Sequence, residues 1–270
     1  MRPTRCLFPS LLPGCLLLAG QLFASPAKKP APDADFYLKP YPTPGQTLSD
    51  IAYRVIAVHA EGIDDAVVTI PATGTLTFLP SNSPDSIKWT TTARMDGRMA
   101  LKDAPGEYRD HGTTMCFQGE CHFTTDASGP FYNPTLWGTP QGTLSPGQSW
   151  AVELKQPWEL GPAGKQTVTV LSVDTNNGIV VLKREGEALG SYEGAQTSIT
   201  VKKDGKPYKV DVKYGLAHWS GQAVFRRGVV VSDELLCVTS LELTSPELGV
   251  IHATERQYMS LLEHPDPIAG

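Results

Sequence analysis

The chain has 270 residues, among them 25 glycines and 23 prolines, and 40% of its residues are hydrophobic. That hydrophobic content excludes wholesale disorder, and glycine without a three-residue period excludes a collagen-like fold. The formal net charge is −5, from 23 basic and 28 acidic residues. Nucleic-acid-binding proteins usually carry a basic face, so the charge argues against nucleic acid as the main partner.

Residues 1–24 have the three-part pattern of a secretory signal peptide. Arg2 and Arg5 come first, an apolar stretch follows, and small residues close the segment. We expect cleavage near Ala24, with Ala27 as the other candidate position. The mature product is then periplasmic or secreted.

Two alternatives keep all or part of this segment on the protein. It stays as an N-terminal anchor, or Cys15 carries a lipid, although Pro13 departs from the small residue usual before a lipidated cysteine. The apolar run is short for a membrane span of about 20 residues. No other segment of the sequence is long and apolar enough, so we expect no transmembrane segment in the mature chain.

Composition divides the remainder of the chain into regions. We expect an extended, proline-rich leader, two β regions joined by an aromatic- and proline-rich crossing, and a flexible tail. The two β regions either form one continuous domain or lie in two sheets or lobes. The boundaries are 25–45 for the leader, 46–130 and 148–262 for the β regions, 131–147 for the crossing, and 263–270 for the tail.

Apolar and polar residues alternate with a period of two along both β regions, which indicates strands. The chain therefore predicts an all-β fold with little helix: a mainly antiparallel meander forming a sandwich or an open barrel. Residues 254–263 fit either a helix with a capping box or a terminal strand. The predicted strands are 50–60, 66–79, 86–95, 107–117, 120–125, 148–155, 166–173, 178–184, 196–203, 206–214, 222–232, 235–244 and 249–259.

The dipeptide Asp204-Gly205 is the strongest hairpin signal in the chain. A two-residue turn there pairs Val201 with Tyr208 and Ile199 with Val210, which puts apolar residues on one face. Charged residues then fall on the other face.

Two cysteines flank a second candidate turn, at residues 118–119. A two-residue turn there makes Cys116 and Cys121 directly opposite neighbours, at a spacing that suits a disulfide. Export to an oxidising compartment favours the bond. Cys237 lies in an apolar run and is expected to be a buried free thiol.

The same hairpin suggests a metal site. His111, Glu120, His122 and Asp126 would share the face opposite the disulfide, and imidazole with carboxylate suits zinc or copper. The alternative is an ordinary solvated hairpin face.

Five aromatic residues are concentrated in and after the crossing. Either they seal the end of a β core, or they line a groove for an apolar ligand, a sugar or a partner. They are Phe131, Tyr132, Trp137, Trp150 and Trp158.

Catalytic signals are weak. There is no G-x-S-x-G motif, and the histidines of the strand-like runs have no local nucleophile. The acidic pairs Asp64-Asp65 and Asp233-Glu234 would point to opposite sides of a strand. We therefore expect a non-catalytic binding or scaffold protein, without a cofactor, that acts on an envelope protein or an apolar small molecule. The alternatives are an extracytoplasmic, hydrolase-like enzyme whose site the fold assembles, and a metal-binding protein.

Overall fold

One antiparallel sheet takes up most of the chain in the computed structural model, which describes residues 31–81, 86–109, 114–117, 120–123 and 129–264. For residues 109, 114–117 and 120–123 it describes the backbone alone. None of the helices in these ranges is long and apolar enough to cross a membrane. The strands are β1 (Thr47–Ala60), β2 (Ala66–Leu79), β3 (Ile87–Met95), β4 (Arg98–Arg109), β5 (Thr114–Phe117), β6 (Glu120–Phe123), β7 (Ser149–Leu154), β8 (Gly164–Asp174), β9 (Ile179–Leu189), β10 (Ser198–Lys203), β11 (Lys206–Arg226), β12 (Val229–Ser245) and β13 (Gly249–His264).

The strand order is β6-β5-β4-β3-β2-β1-β13-β12-β11-β9-β8-β7, with β10 paired to the first half of β11. Because β1 pairs with β13 over twelve residue pairs, the two predicted β regions belong to one sheet and not to two sheets or lobes. The predicted all-β, mainly antiparallel meander is confirmed. Its two ends, β6 and β7, follow each other along the chain and are connected through the crossing (131–147).

The hairpin at Asp204-Gly205 has the predicted register. Val201 pairs with Tyr208 and Ile199 with Val210. Asp204 and Gly205 have φ values of 53° and 75°, the left-handed conformation that a tight hairpin turn requires.

The backbone of β5 and β6 also has the predicted register. Cys116 lies opposite Cys121, and Met115 lies opposite His122. The disulfide itself stays a prediction, because the side chains of these strands are not described.

Three sequence predictions differ from the structure. The predicted breaks near residues 215–221 and 233–234 do not exist: β11 and β12 run through them, and the turn lies at Arg227-Gly228. The leader is not extended throughout, because α1 (Ala34–Leu38) forms behind its N-cap Asp33 and buries its apolar side chains. Residues 254–263 are strand and not helix.

The crossing lies over the inner face of the sheet and contains α2 (Pro134–Trp137). It divides the apolar interior into a small cluster on β1–β4 and a large cluster on β7–β13. Phe131 packs in the first with Trp89 and Tyr108. Trp137 packs in the second with Phe225. A third cluster, around Val201 and Leu243, lies under β10.

Gly106 is fixed by the packing of Trp89, which is fully buried opposite it. A Cβ at this position would lie 2.5 Å from the indole nitrogen of Trp89. We expect Gly106→Ala to lower the free energy of unfolding by about 1–3 kcal/mol, because the ring has no room to move. Gly129→Ala is the matched control, since a Cβ there meets nothing within 4 Å. Urea denaturation of both variants tests this, and equal midpoints would contradict it.

Candidate functional site

Four of the five predicted aromatic residues are deeply buried where the crossing meets the sheet. Phe131, Tyr132, Trp137 and Trp158 are each at most 4% exposed, and Trp150 is half-buried. Phe131 contacts Tyr108 with ring centroids 5.2 Å apart, and Trp158 meets Trp219 edge to face at 5.6 Å. Packing of the core is the role that these contacts show. A direct role in ligand binding stays a prediction for all five residues.

Hydrogen bonds fix the crossing in place. Gln166 on β8 accepts a hydrogen bond from the indole nitrogen of Trp219 at 2.8 Å and donates one to the carbonyl oxygen of Leu136. The indole nitrogen of Trp150 donates to the carbonyl oxygen of Trp137 at 2.7 Å. The end of α2 is therefore held against β7 and β8.

A buried ion pair lies beneath the crossing. Arg184 on β9 and Asp233 on β12 are 1% and 2% exposed, and an Nη atom of Arg184 lies 3.1 Å from a carboxylate oxygen of Asp233. The guanidinium group also stacks 4.4 Å from the ring centroid of Trp137. Burial raises the pKa of Asp233 to about 6, and Arg184 acts in the opposite direction. Burial likewise lowers the pKa of Arg184.

A second polar cluster ties the loop between β7 and β8 to β1 and β13. Arg54 lies 3.6 Å from the Glu159 carboxylate and donates to Gln257 at 2.7 Å. Gln257 in turn donates to Glu255 at 2.7 Å. Desolvation raises the pKa of Glu255. No local sequence motif indicated this cluster, because its members lie on three distant parts of the chain.

Two clefts flank the crossing, and most of the surface that lines each of them is apolar. The α1 cleft, about 210 Å³, lies between α1, Tyr108 and the crossing. The β7 cleft, about 580 Å³, lies between α2 and β7. Pro134 and Thr139 line both. The residues that line the β7 cleft are Pro134, Thr135, Leu136, Thr139, 152–156 and Trp158.

The described residues offer little catalytic chemistry. His59 pairs with Asp65 at 2.5 Å and His218 with Glu187 at 3.1 Å, and both pairs are exposed. Among the hydrogen bonds of the described residues, neither imidazole has a hydroxyl or thiol partner. Cys237 is buried, as its apolar surroundings predict, and desolvation raises its pKa to about 11, which disfavours the reactive thiolate.

The predicted metal site falls mostly outside the described residues. His111 and Asp126 are not described, and Glu120 and His122 are described by their backbone alone. The hypothesis therefore stays a prediction. In the part of the chain with described side chains, no group of three histidine, cysteine, aspartate or glutamate residues could hold a metal ion.

No family model and no curated protein matches the sequence. Similar solved structures include lipovitellin, in a structure of its lipid–protein interactions, at 10% identity and a TM-score of 0.38 over 84% of this chain. This chain spans about a quarter (26%) of that lipovitellin chain.

Two further similar structures are outer-surface proteins. Neisserial surface protein A has 5% identity and a TM-score of 0.21, over 81% of this chain and 97% of that chain. OmpT of Vibrio cholerae lacking loop L8, an outer membrane protein, has 9% identity and a TM-score of 0.23, over 82% of this chain and 100% of that chain. Similarities at this level give no information on function.

The buried ion pair predicts that replacing one of its residues lowers the free energy of unfolding far more than replacing both. Arg184→Met should lower the free energy of unfolding by about 3–5 kcal/mol, because it leaves the carboxyl group of Asp233 buried without its partner. Replacing both residues, by Arg184→Met with Asp233→Leu, should cost far less. Urea denaturation at pH 8 measures both effects.

The exposed pair of Lys213 and Glu242, at 3.7 Å, supplies the control for this comparison. Glu242→Gln should change the free energy of unfolding by less than about 1 kcal/mol. A double variant as unstable as Arg184→Met would contradict the expectation.

The raised pKa of Asp233 also predicts a pH dependence. In the folded state the pKa of Asp233, about 6, lies above its ordinary value of 3.8, so the folded state binds more protons between these two pH values. The contribution of Asp233 to stability is therefore present below pH 3.8 and is lost as the pH rises through 6. We expect urea midpoints to fall more steeply across this window in the native protein than in Asp233→Asn. Parallel profiles would contradict this assignment.

Proposed function

We propose that this chain is an exported, non-catalytic binding protein that holds an apolar ligand, or an apolar part of an envelope partner, in the β7 cleft. The observation that carries the proposal is the cleft itself. Its volume of about 580 Å³ falls within the usual range for ligand sites, and most of its wall surface is apolar, with polar side chains such as Thr135 and Thr139 among those that line it. The signal-peptide pattern of residues 1–24 supports the periplasmic or secreted location.

Rigid surroundings support the same proposal. One wall is α2, which Gln166 and Trp150 hold by hydrogen bonds to its backbone carbonyls. The opposite wall is β7, which is paired with β8 along its whole length. A site whose walls are fixed before binding loses less conformational entropy when the ligand binds.

Thr139 offers the sharpest test of this site, because it is exposed and lies at the cleft. Thr139→Trp should fill the space without disturbing the core, and Thr200→Trp, an exposed position on β10, is the matched control. Native mass spectrometry of protein purified from its own envelope, repeated after denaturation, measures what is bound.

We expect extra native mass that disappears on denaturation, persists in Thr200→Trp and is lost in Thr139→Trp. Crosslinking in the envelope extends the same comparison to a protein partner. A native mass equal to the mass of the chain after denaturation, together with no crosslinked partner, would overturn the proposal. A ligand or partner that is still bound to Thr139→Trp would overturn it as well.

A further inference from the structure

β7 is an end strand of the sheet, and β8 is its only partner among the described strands. The hydrogen-bond pattern shows which of its backbone groups point outward. The amide of Val170 donates to the carbonyl oxygen of Gln148, and bonded pairs alternate along an antiparallel ladder. Trp150, Val152 and Leu154 therefore exchange hydrogen bonds with β8. The N–H and C=O groups of Ala151 and Glu153 point away from it.

Nothing in the described residues covers this outer edge. Ala151 and Glu153 are exposed, and neither has a hydrogen-bond partner beyond β8 among the residues that the structure describes. An exposed row of unpaired amides and carbonyls is a template for another strand.

The β7 cleft lies alongside this strand. It is lined by residues 152–156 and by residues of α2, which packs over the inner face of β7 and β8. Val152 and Leu154, which line the cleft, share one face of β7. Successive side chains of a strand point to opposite faces. Every second side chain of an added strand would therefore enter the cleft, and the others would face solvent beside Glu153.

We propose that the occupant is an extended peptide segment of a partner protein, which adds to β7 as a further strand and places alternate apolar side chains in the β7 cleft. This inference rests on the proposed function and names its partner class. Backbone hydrogen bonds supply affinity in this mode of recognition, and the pockets for alternate side chains supply specificity.

A second copy of this chain fits the edge less well than a bare peptide. Two-fold pairing of β7 with its copy would bring two α2 helices to the same side of the joined sheet. Each α2 is fixed close to its own strand, because a Cβ on Gly138 would lie within 3 Å of Trp150 and Val152. The two helices would then occupy the same space beside the paired strands, whereas a single extended segment brings no helix to this space.

Glu153 gives the segment one charged neighbour. It is exposed on the solvent-facing side of β7, and Lys165 lies directly opposite it on β8. A lysine opposite Glu153 on the added strand would form a second favourable cross-strand pair.

Ala151→Pro tests the backbone hydrogen bonds between β7 and the added strand. Proline removes an N–H that β8 does not use, and proline is tolerated on an edge strand where its N–H would face solvent. Ala151→Val is the matched control, because it keeps the amide and adds similar bulk. Equal urea midpoints for the two variants establish that both are folded.

The probe is a fluorescein-labelled synthetic peptide of nine residues, in which valine alternates with threonine and lysine takes the central polar position. Fluorescence anisotropy measures its binding. We expect Ala151→Pro to weaken binding about tenfold or more, consistent with a lost hydrogen bond, whereas Ala151→Val stays within about twofold. A peptide methylated on alternate amides should not bind.

Equal affinity of Ala151→Pro and native protein would overturn the inference, and so would no binding of the peptide at about 1 mM. A dimer that forms without peptide and that Ala151→Pro dissociates would also overturn it, since a second copy would then cover the edge. If the peptide fails while Thr139→Trp still removes a resident ligand, only the partner class is wrong. If Thr139→Trp removes nothing as well, the proposed function fails too.

Discussion

The crossing has to cover the inner face of a sheet whose two halves are joined by the pairing of β1 with β13. A sheet with an apolar face is stable only if that face packs against another part of the chain. Here a segment rich in proline and aromatic residues does this work in place of a second sheet. Phe131 fills the interior of one half and Trp137 that of the other, so one short segment completes both clusters.

The polar groups beneath the crossing follow from the same arrangement. Arg184 lies under Trp137, and its charge is balanced by Asp233 from a neighbouring part of the sheet. Gln166 satisfies the buried indole of Trp219 and a carbonyl of α2 together. Buried polar groups of this kind contribute little to stability through attraction alone. Their importance is that any other position of the crossing would leave them unpaired.

Local signals in the sequence were sufficient for the strands and the tightest turns. Asp204-Gly205 specified both a turn type and a register, and the spacing of Cys116 and Cys121 specified that their backbones lie opposite each other on β5 and β6. The sequence misplaced the turn after β11, because Asp233-Glu234 resembles a turn when its partner is unknown. Once Arg184 is brought opposite, Asp233 belongs in the interior of a strand. The long strands could therefore be recognised only after the tertiary contact was known.

The candidate site was harder to predict for a related reason. The aromatic residues of the crossing were recognisable as a cluster, but a sequence does not distinguish a ring that lines a groove from one that fills a core. In the fold nearly all of them are used in packing, and the accessible surface is formed by smaller neighbours such as Thr135 and Thr139. The edge of β7 depends on strand order, which no local pattern encodes. The crossing joins the two end strands of the sheet, β6 and β7, and its helix α2 packs against β7. A helix cannot form backbone hydrogen bonds with a strand. The outward-pointing backbone groups of β7 therefore stay unpaired, and the cleft lies between β7 and α2.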